Sequence, residues 1–378
     1  MIVAGEASGD MYGATLAAEL RALSPDTRFF GMGGGCMRQA GVETLVDANE
    51  MAVMGIVEVV GHLPVILKNF NILKKRLLSD PPSLLILIDY PDFNLRLAKV
   101  AKRAGVPVLY FISPQVWAWR SGRVKGIGEV IDMMAVLFPF EVPFYQKAGI
   151  PVSFVGHPLL DMVRPSMGKA EALLSFGLDP ERQTVGLFPG SRKSEIAKLL
   201  PDILEAAKLL KAQLPGLQFL LPLASSLRQE DIASELQRSG LDVTIVSGRN
   251  HDVMVACDAA ISVSGTVTME LALVGIPMVI VYRVSGLTYQ IGKRVIKVPH
   301  IGICNIVAEK GVAKELIQHE VTPEAIAREI GALLTDGRYA ESMREEFARV
   351  RVKLGSGGAL GRLAGVASNM MAAHKESR

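Results

Sequence analysis

Two doubly wound α/β domains are the architecture this sequence predicts, on three observations. Short apolar runs alternate with helical patterns, the alternation starts afresh after Gly156-His157-Pro158, and 378 residues are too many for one ordinary core. In the first half the apolar runs fall at 1–4, 28–31, 84–88, 108–112, 133–137 and 153–155, with helical patterns such as 11–23 and 93–104 between them. In the second half they fall at 185–188, 218–222, 242–246, 259–263 and 278–281. Strand, helix and strand in that succession make parallel sheets covered by helices on both faces. The boundary is placed near residue 157, giving domains 1–157 and 158–378, the second carrying helices with charged faces from residue 322 onward. Two such domains facing each other across a cleft put ligands at the carboxyl ends of their strands, so function is sought in the loops that follow strands.

Composition removes several classes. Apolar residues make up 49% of the chain, yet the longest clean apolar run, 271–282, is broken by Gly275-Ile276-Pro277 and falls short of the ~20 residues of a spanning helix. The chain opens in a strand without a basic leader, so no signal peptide is expected. Three widely spaced cysteines, Cys36, Cys257 and Cys304, fit a reducing cytosol. Six histidines show no paired ligand spacing and no Asp-x-Asp triplet occurs, so neither a metal nor another cofactor is expected. A net charge of +3 gives no argument for a nucleic-acid partner.

The stretch TVGLFPGSRKSEIAK at 184–198 is the most telling loop. An apolar strand stops at Pro189-Gly190 and a helical pattern begins near Ser194, leaving free backbone N–H groups and a positive helix end where an anion is stabilised. Gly190 and Ser191 let a ligand approach the backbone, and the Arg192 guanidinium can hold two phosphate oxygens, so the implied guest is a phosphate or diphosphate. The competing assignment is an ordinary loop whose arginine pairs with a surface carboxylate. Ser264-Gly265-Thr266 forms a second such helix end, with Glu270 one turn on, placed to accept both hydroxyls of a ribose. Ser247-Gly248-Arg249 is a weaker candidate for the border of a base pocket.

The loops of the first half are of another kind. Gly5-Glu6-Ala7-Ser8-Gly9-Asp10 lacks the third glycine of a dinucleotide fingerprint, and its carboxylates repel a pyrophosphate. Glu6, Ser8 and Asp10 suit a polar, sugar-sized acceptor, although Ser8 and Asp10 can serve instead as helix caps. In IDYPDFN, Asp92 is read as a helix N-cap, which leaves Asp89 at the end of a buried strand. Partial desolvation there raises a carboxylate toward the range of a general base; the alternative is a carboxylate that only ties down the loop. The loop 113–120 holds both tryptophans, and Trp119 with Arg120 could stack on a sugar or meet a lipid interface, against core packing by Trp117. In 56–78, Ile66, Phe70, Leu73 and Leu77 form a core stripe from a helix start at Pro64. Val65 and Ile72 project opposite, among Lys68, Lys75 and Arg76 and beside Met51, Met54 and Val57, as a lipid-binding patch requires; a plain amphipathic helix is the alternative.

AGEASGD at 4–10, MGIVEV at 54–59, IDYPDFN at 88–94, SPQVWAWR at 113–120, FPFE at 138–141, FVGHP at 154–158, PGSR at 189–192 and SGT at 264–266 with Glu270 together resemble the lipid-A-disaccharide synthase family, from residue 2 to about 320. Cys36, Cys304 and Lys314 depart from it, standing where the family pattern carries proline. The resemblance implies a GT-B glycosyltransferase that joins UDP-2,3-diacylglucosamine to 2,3-diacylglucosamine 1-phosphate, releasing UDP and forming a β(1→6) disaccharide. It also implies a metal-independent inverting mechanism, with Asp89 and Arg192 required. The first domain would take the acceptor at the cytoplasmic face of the inner membrane and the second the UDP-sugar, with the 305–318 segment bordering it. An oligomer is compatible with these features. Two rivals stay open: a nucleotide-sugar epimerase of the same two-domain architecture, and a non-catalytic UDP-sugar sensor.

Overall fold

The computed structural model of the protein describes residues 1–51, 56–114, 123–224, 226–284, 289 and 299–376, with the side chains of 49, 51, 56–62 and 123 outside the description. Met54, Trp119 and Arg120, singled out above, lie outside the described residues. The chain forms two compact units, Met1–Pro158 with Leu354–Arg378, and Leu159–Lys353.

In the first unit seven parallel strands, β1 (Ile2–Ala4), β2 (Phe30–Gly33), β3 (Glu43–Asp47), β4 (Leu85–Ile88), β5 (Val108–Phe111), β6 (Met133–Val136) and β7 (Val152–Phe154), run in the order β3-β2-β1-β4-β5-β6-β7. In the second, β8 (Thr184–Phe188), β9 (Gln218–Leu223), β10 (Thr244–Ser247), β11 (Ala259–Val263), β12 (Met278–Tyr282) and β13 (Lys314–Ile317) run β10-β9-β8-β11-β12-β13, again all parallel. The central strands read as continuous apolar runs because helices cover both faces: β4 (LILI), β5 (VLYF) and β8 (TVGLF) are buried at every position. Each sheet reverses its winding once, between β1 and β4 and between β8 and β11, and the loops after those strands open the crevice in which such sheets bind ligands.

Two edge strands, β3 and β13, were not among the expected ones. Their sequences, ETLVD and KELI, bury one position each and so carry little of the apolar run that marks a central strand. The chain beyond 157 does not all belong to the second unit. The helix Ala359–Glu376 packs on the helix Ala7–Leu23, and Arg362 donates to the carbonyls of Val155 (2.9 Å) and Gly357 (2.7 Å), pinning the returning chain to the first unit. Asp92 is not an N-cap: Tyr90 holds that place and Pro91 the first helical position, so Asp92 lies inside the first turn. The helix expected to start at Pro64 runs Ile56–Ser79, with Pro64 inside it.

His157, between the last strand of the first unit and the chain crossing, is buried beside the Phe138 ring, and that burial pushes its imidazole down to about 4. Between pH 6.5 and 4 the unfolded chain therefore binds a proton that the folded chain refuses, and stability falls as pH drops through that window. Replacing His157 by Phe is expected to flatten this part of the stability curve, by up to about 3 kcal/mol at pH 4. Chemical denaturation at pH 7 and pH 4 checks it.

Candidate active-site residues

In the second unit, the loop after β8 and the loop after β11 meet over a cavity of about 330 Å³. Gly190, Ser191, Arg192, Ser264, Gly265, Thr266 and Glu270 all line it, so every second-half residue expected at the diphosphate and ribose borders the same cavity. Pro222 and Ala224 at the end of β9, and Asn250 and Met254 on the helix Asn250–Ala256 after β10, also line that cavity and were not among the expected residues. A parallel sheet brings the ends of all its strands together; Pro222 and Ala224 carry no charge or glycine signal, and the signal after β10, Gly248-Arg249, points to the residues just before Asn250.

Gly190 has φ +110, a conformation other residues adopt only under strain, and a Cβ there would sit 2.3 Å from Glu195 Oε2. Arg192 is the N-cap of the helix Lys193–Gln213 in extended conformation, and Gly265 is that of Thr266–Val274. The anion site after β8 holds an anion of the protein's own. Glu195 accepts from the Ser191 N–H (3.1 Å) and from Arg192 Nη1 (3.1 Å), so the loop's donors are arranged around a carboxylate. Arg192 does pair with a carboxylate, as the competing assignment had it, yet its side chain stays 52% exposed on the cavity wall and free to reach a larger anion. Glu270 lies 3.5 Å from His251 Nε2. Arg249 turns away to Asp252 and lies over the Phe176 ring, which leaves Asn250 at the wall where 247–249 had been expected.

In the first unit the loops after β1 and β4 place Glu6 and Asp89 side by side, because Ala4 pairs with Ile88. Asp89 is half-buried, and its carboxyl is pushed up to about 6 by burial and by the charge of Glu6, against a smaller pull from the Tyr90 N–H. Gly5 leaves room for the Tyr90 ring, whose carbons would lie 2.6 Å from a Cβ at residue 5. Glu6 and Ser8 are exposed at the start of the helix Ala7–Leu23. Asp10 leaves the acceptor set. It is buried, and its two oxygens accept from the backbone N–H groups of Gly34 (2.6 Å), Cys36 (2.9 Å) and Met37 (3.0 Å), so it caps the short helix Gly35–Gln39.

On the helix Ile56–Ser79, Leu73 and Leu77 are core and Ile66 and Phe70 pack against it, as the stripe required. Ile72 is exposed (36%), but Val65 is half-buried, and the larger apolar exposure belongs to Leu63 (47%), Leu67 (48%) and Leu78 (50%), with Lys68, Lys74 and Lys75 also exposed. The 305–318 segment turns inward. Buried Asn305 is held by Ala313 O and Glu315, and Glu315 also accepts from the Ile301 and Gly302 N–H groups. Its link to the cavity is indirect, through Ser264 Oγ donating to Ile301 O (3.1 Å). Among the described residues no group of three or more His, Cys, Asp or Glu could hold a metal ion, and no helix is long and apolar enough to cross a membrane.

Two doubly wound parallel sheets with a ligand cavity at a switch point define the class of GT-B glycosyltransferases and related nucleotide-sugar enzymes. Solved structures agree on that fold. The UDP-GlcNAc 2-epimerase from Neisseria meningitidis bound to UDP-GlcNAc aligns with TM-score 0.65 at 13% identity, covering 97% of this chain and 98% of its own. CalG4, the calicheamicin glycosyltransferase, aligns with TM-score 0.60 at 14% identity, covering 95% and 94%. Within that class the chain belongs to the lipid-A-disaccharide synthetase family, which it matches over residues 1–355. The lipid-A-disaccharide synthase of Geobacter sulfurreducens is 62% identical over 371 residues, covering 98% of this chain and 97% of that protein.

Proposed function

We propose that this protein is an inverting glycosyltransferase that joins UDP-2,3-diacylglucosamine to 2,3-diacylglucosamine 1-phosphate, giving the β(1→6) lipid A disaccharide 1-phosphate and UDP. Family membership supports the reaction. The observation that carries the division of labour is the placement of one candidate cluster at the switch point of each sheet: carboxylates in the first unit, anion-binding loops in the second. The acceptor hydroxyl, relieved of its proton by Asp89, attacks the anomeric carbon as the bond to the UDP oxygen breaks. One displacement inverts that carbon, so no second carboxylate need form a covalent intermediate. The departing diphosphate takes over the Ser191 N–H and Arg192 from Glu195, with Gly190 admitting it to the backbone and the Ser264-Gly265-Thr266 helix end adding N–H groups. Glu270 takes the ribose. Glu6 and Ser8 meet the acceptor sugar. Diphosphate charge is thereby met without a metal, as the family resemblance implies.

Incubation with both lipid substrates, with and without chelator, is expected to give the disaccharide by mass spectrometry in equal yield. Turnover of UDP-N-acetylglucosamine without acceptor would favour an epimerase, and binding without turnover a sensor.

The acceptor carries two acyl chains, and we assign its capture to the helix Ile56–Ser79 at the inner face of the inner membrane. Leu63, Leu67 and Leu78 stand exposed on one face of the helix with Lys74 among them and Lys75 beside them, the pairing of apolar and basic groups that holds a surface helix on anionic lipid, whereas Ile72 lies on the other side of the helix. At roughly 1 kcal/mol for each partly inserted side chain, changing all three leucines to Ser should weaken binding to anionic vesicles by about 10²-fold. Vesicle sedimentation equal to the parent's, with an unchanged circular dichroism spectrum, contradicts the assignment.

A further inference from the structure

The chain leaves β4 through two consecutive non-glycine residues in the left-handed region, Asp89 (φ 49) and Tyr90 (φ 50). L-residues rarely adopt that conformation singly, and a pair of them persists only where the surroundings enforce it. The enforcement here is specific. The Asp89 N–H stays in the sheet, donating to Phe111 O (2.9 Å), while the Asp89 carbonyl accepts from two side chains, Tyr110 Oη (2.7 Å) and Asn94 Nδ2 (2.7 Å). Asn94 Nδ2 also donates to Ile88 O (3.2 Å). Asn94 is fully buried, and its Oδ1 has no hydrogen-bond partner among the described residues. Turning the amide over would set that oxygen against two carbonyls, so the observed orientation is the one the donors require. A buried amide that leaves its oxygen unpaired in order to clamp two carbonyls with its nitrogen is a costly way to build a turn.

We propose that Asn94 and Tyr110 are positioning residues that hold the left-handed Asp89–Tyr90 pair and so aim the Asp89 carboxylate at the acceptor hydroxyl. This rests on the assignment of Asp89 as the base. The titratable groups around that carboxylate are Glu6 ahead of the helix Ala7–Leu23, Tyr90 and Asp92 at the start of the helix Pro91–Arg103, and Tyr110 on β5. None is altered in charge by changing Asn94, so a shift in the pH profile of the Asn94 variant reports a displaced carboxylate.

The test compares Asn94→Leu and Tyr110→Phe with the parent. A displacement of the reacting group on the order of 1 Å costs about 10²-fold. Asn94→Leu, which removes both donors, is expected to lower kcat by about that factor, and Tyr110→Phe by about 10-fold. Donor KM should stay unchanged, and the acid limb of kcat should move down from pH 6 as the carboxylate becomes better solvated. A role confined to holding the fold would lower Tm and leave kcat and the acid limb of the folded enzyme unmoved, and that result overturns the proposal. If Asn94→Leu does not fold, Tyr110→Phe, which removes one oxygen atom, decides by the same criteria. Asp89→Asn separates the two levels. Full activity in that variant defeats the assignment of the base, whereas its inactivity beside parental Tyr110→Phe and Asn94→Leu defeats the positioning role alone.

Discussion

Replacing Asp89 by Asn is expected to lower turnover by ~10²- to 10⁴-fold at saturating substrates, the usual worth of a general base, or roughly 3 to 5 kcal/mol of barrier. Asparagine keeps the size and polarity of the side chain and removes its basicity. UDP affinity should survive, because the residues that line the cavity proposed for it all belong to the second unit. The same change has an opposite effect on stability. A carboxyl raised to about 6 binds a proton in the folded chain that the unfolded chain has already lost above its ordinary value of 3.8. Stability is therefore lost as pH rises from about 4 to 6, and the ionised Asp89 burdens the fold at pH 7. Asp89→Asn should thus raise Tm at pH 7 and leave it unchanged below pH 4. Near-parental turnover in this variant would return Asp89 to the role of a loop tie and make Glu6 the next candidate.

Arg192→Ala is expected to weaken UDP binding by roughly 30-fold, about 2 kcal/mol, the range for a charge-assisted hydrogen bond in a partly open site. The exposure of the side chain keeps this below the cost of breaking a buried pair. Loss of Arg192 also leaves Glu195 bound to the Ser191 N–H without its counter-charge, so the incoming diphosphate would meet a carboxylate that nothing draws aside. Titration calorimetry with UDP checks it, and unchanged affinity would leave Arg192 as a surface partner of Glu195.

What the sequence disclosed follows from how each signal is written. Buried parallel strands such as β4 and β8 announce themselves as apolar runs, and a turn such as Pro189-Gly190-Ser191-Arg192 declares an anion site through glycine and charge together. Edge strands are half solvated, so ETLVD and KELI gave no such run. Asp10 looked like a site residue because its three partners are backbone N–H groups more than twenty positions away, which no local pattern encodes. The return of 354–376 to the first unit rests on Arg362 reaching Val155 O, a contact across 207 positions. Asn94 and Tyr110 read as ordinary helix and strand residues. Their meaning lies in one carbonyl oxygen that both reach.

The measurement that tests the account most directly is the rate of UDP release with both lipid substrates present, followed from pH 5 to 8 in excess chelator. The predicted result is release that requires acceptor, ignores the chelator and climbs through a single limb near pH 6 to a plateau, as the Asp89 carboxyl loses its proton. Release that proceeds without acceptor, or that is level across the whole range, would contradict it.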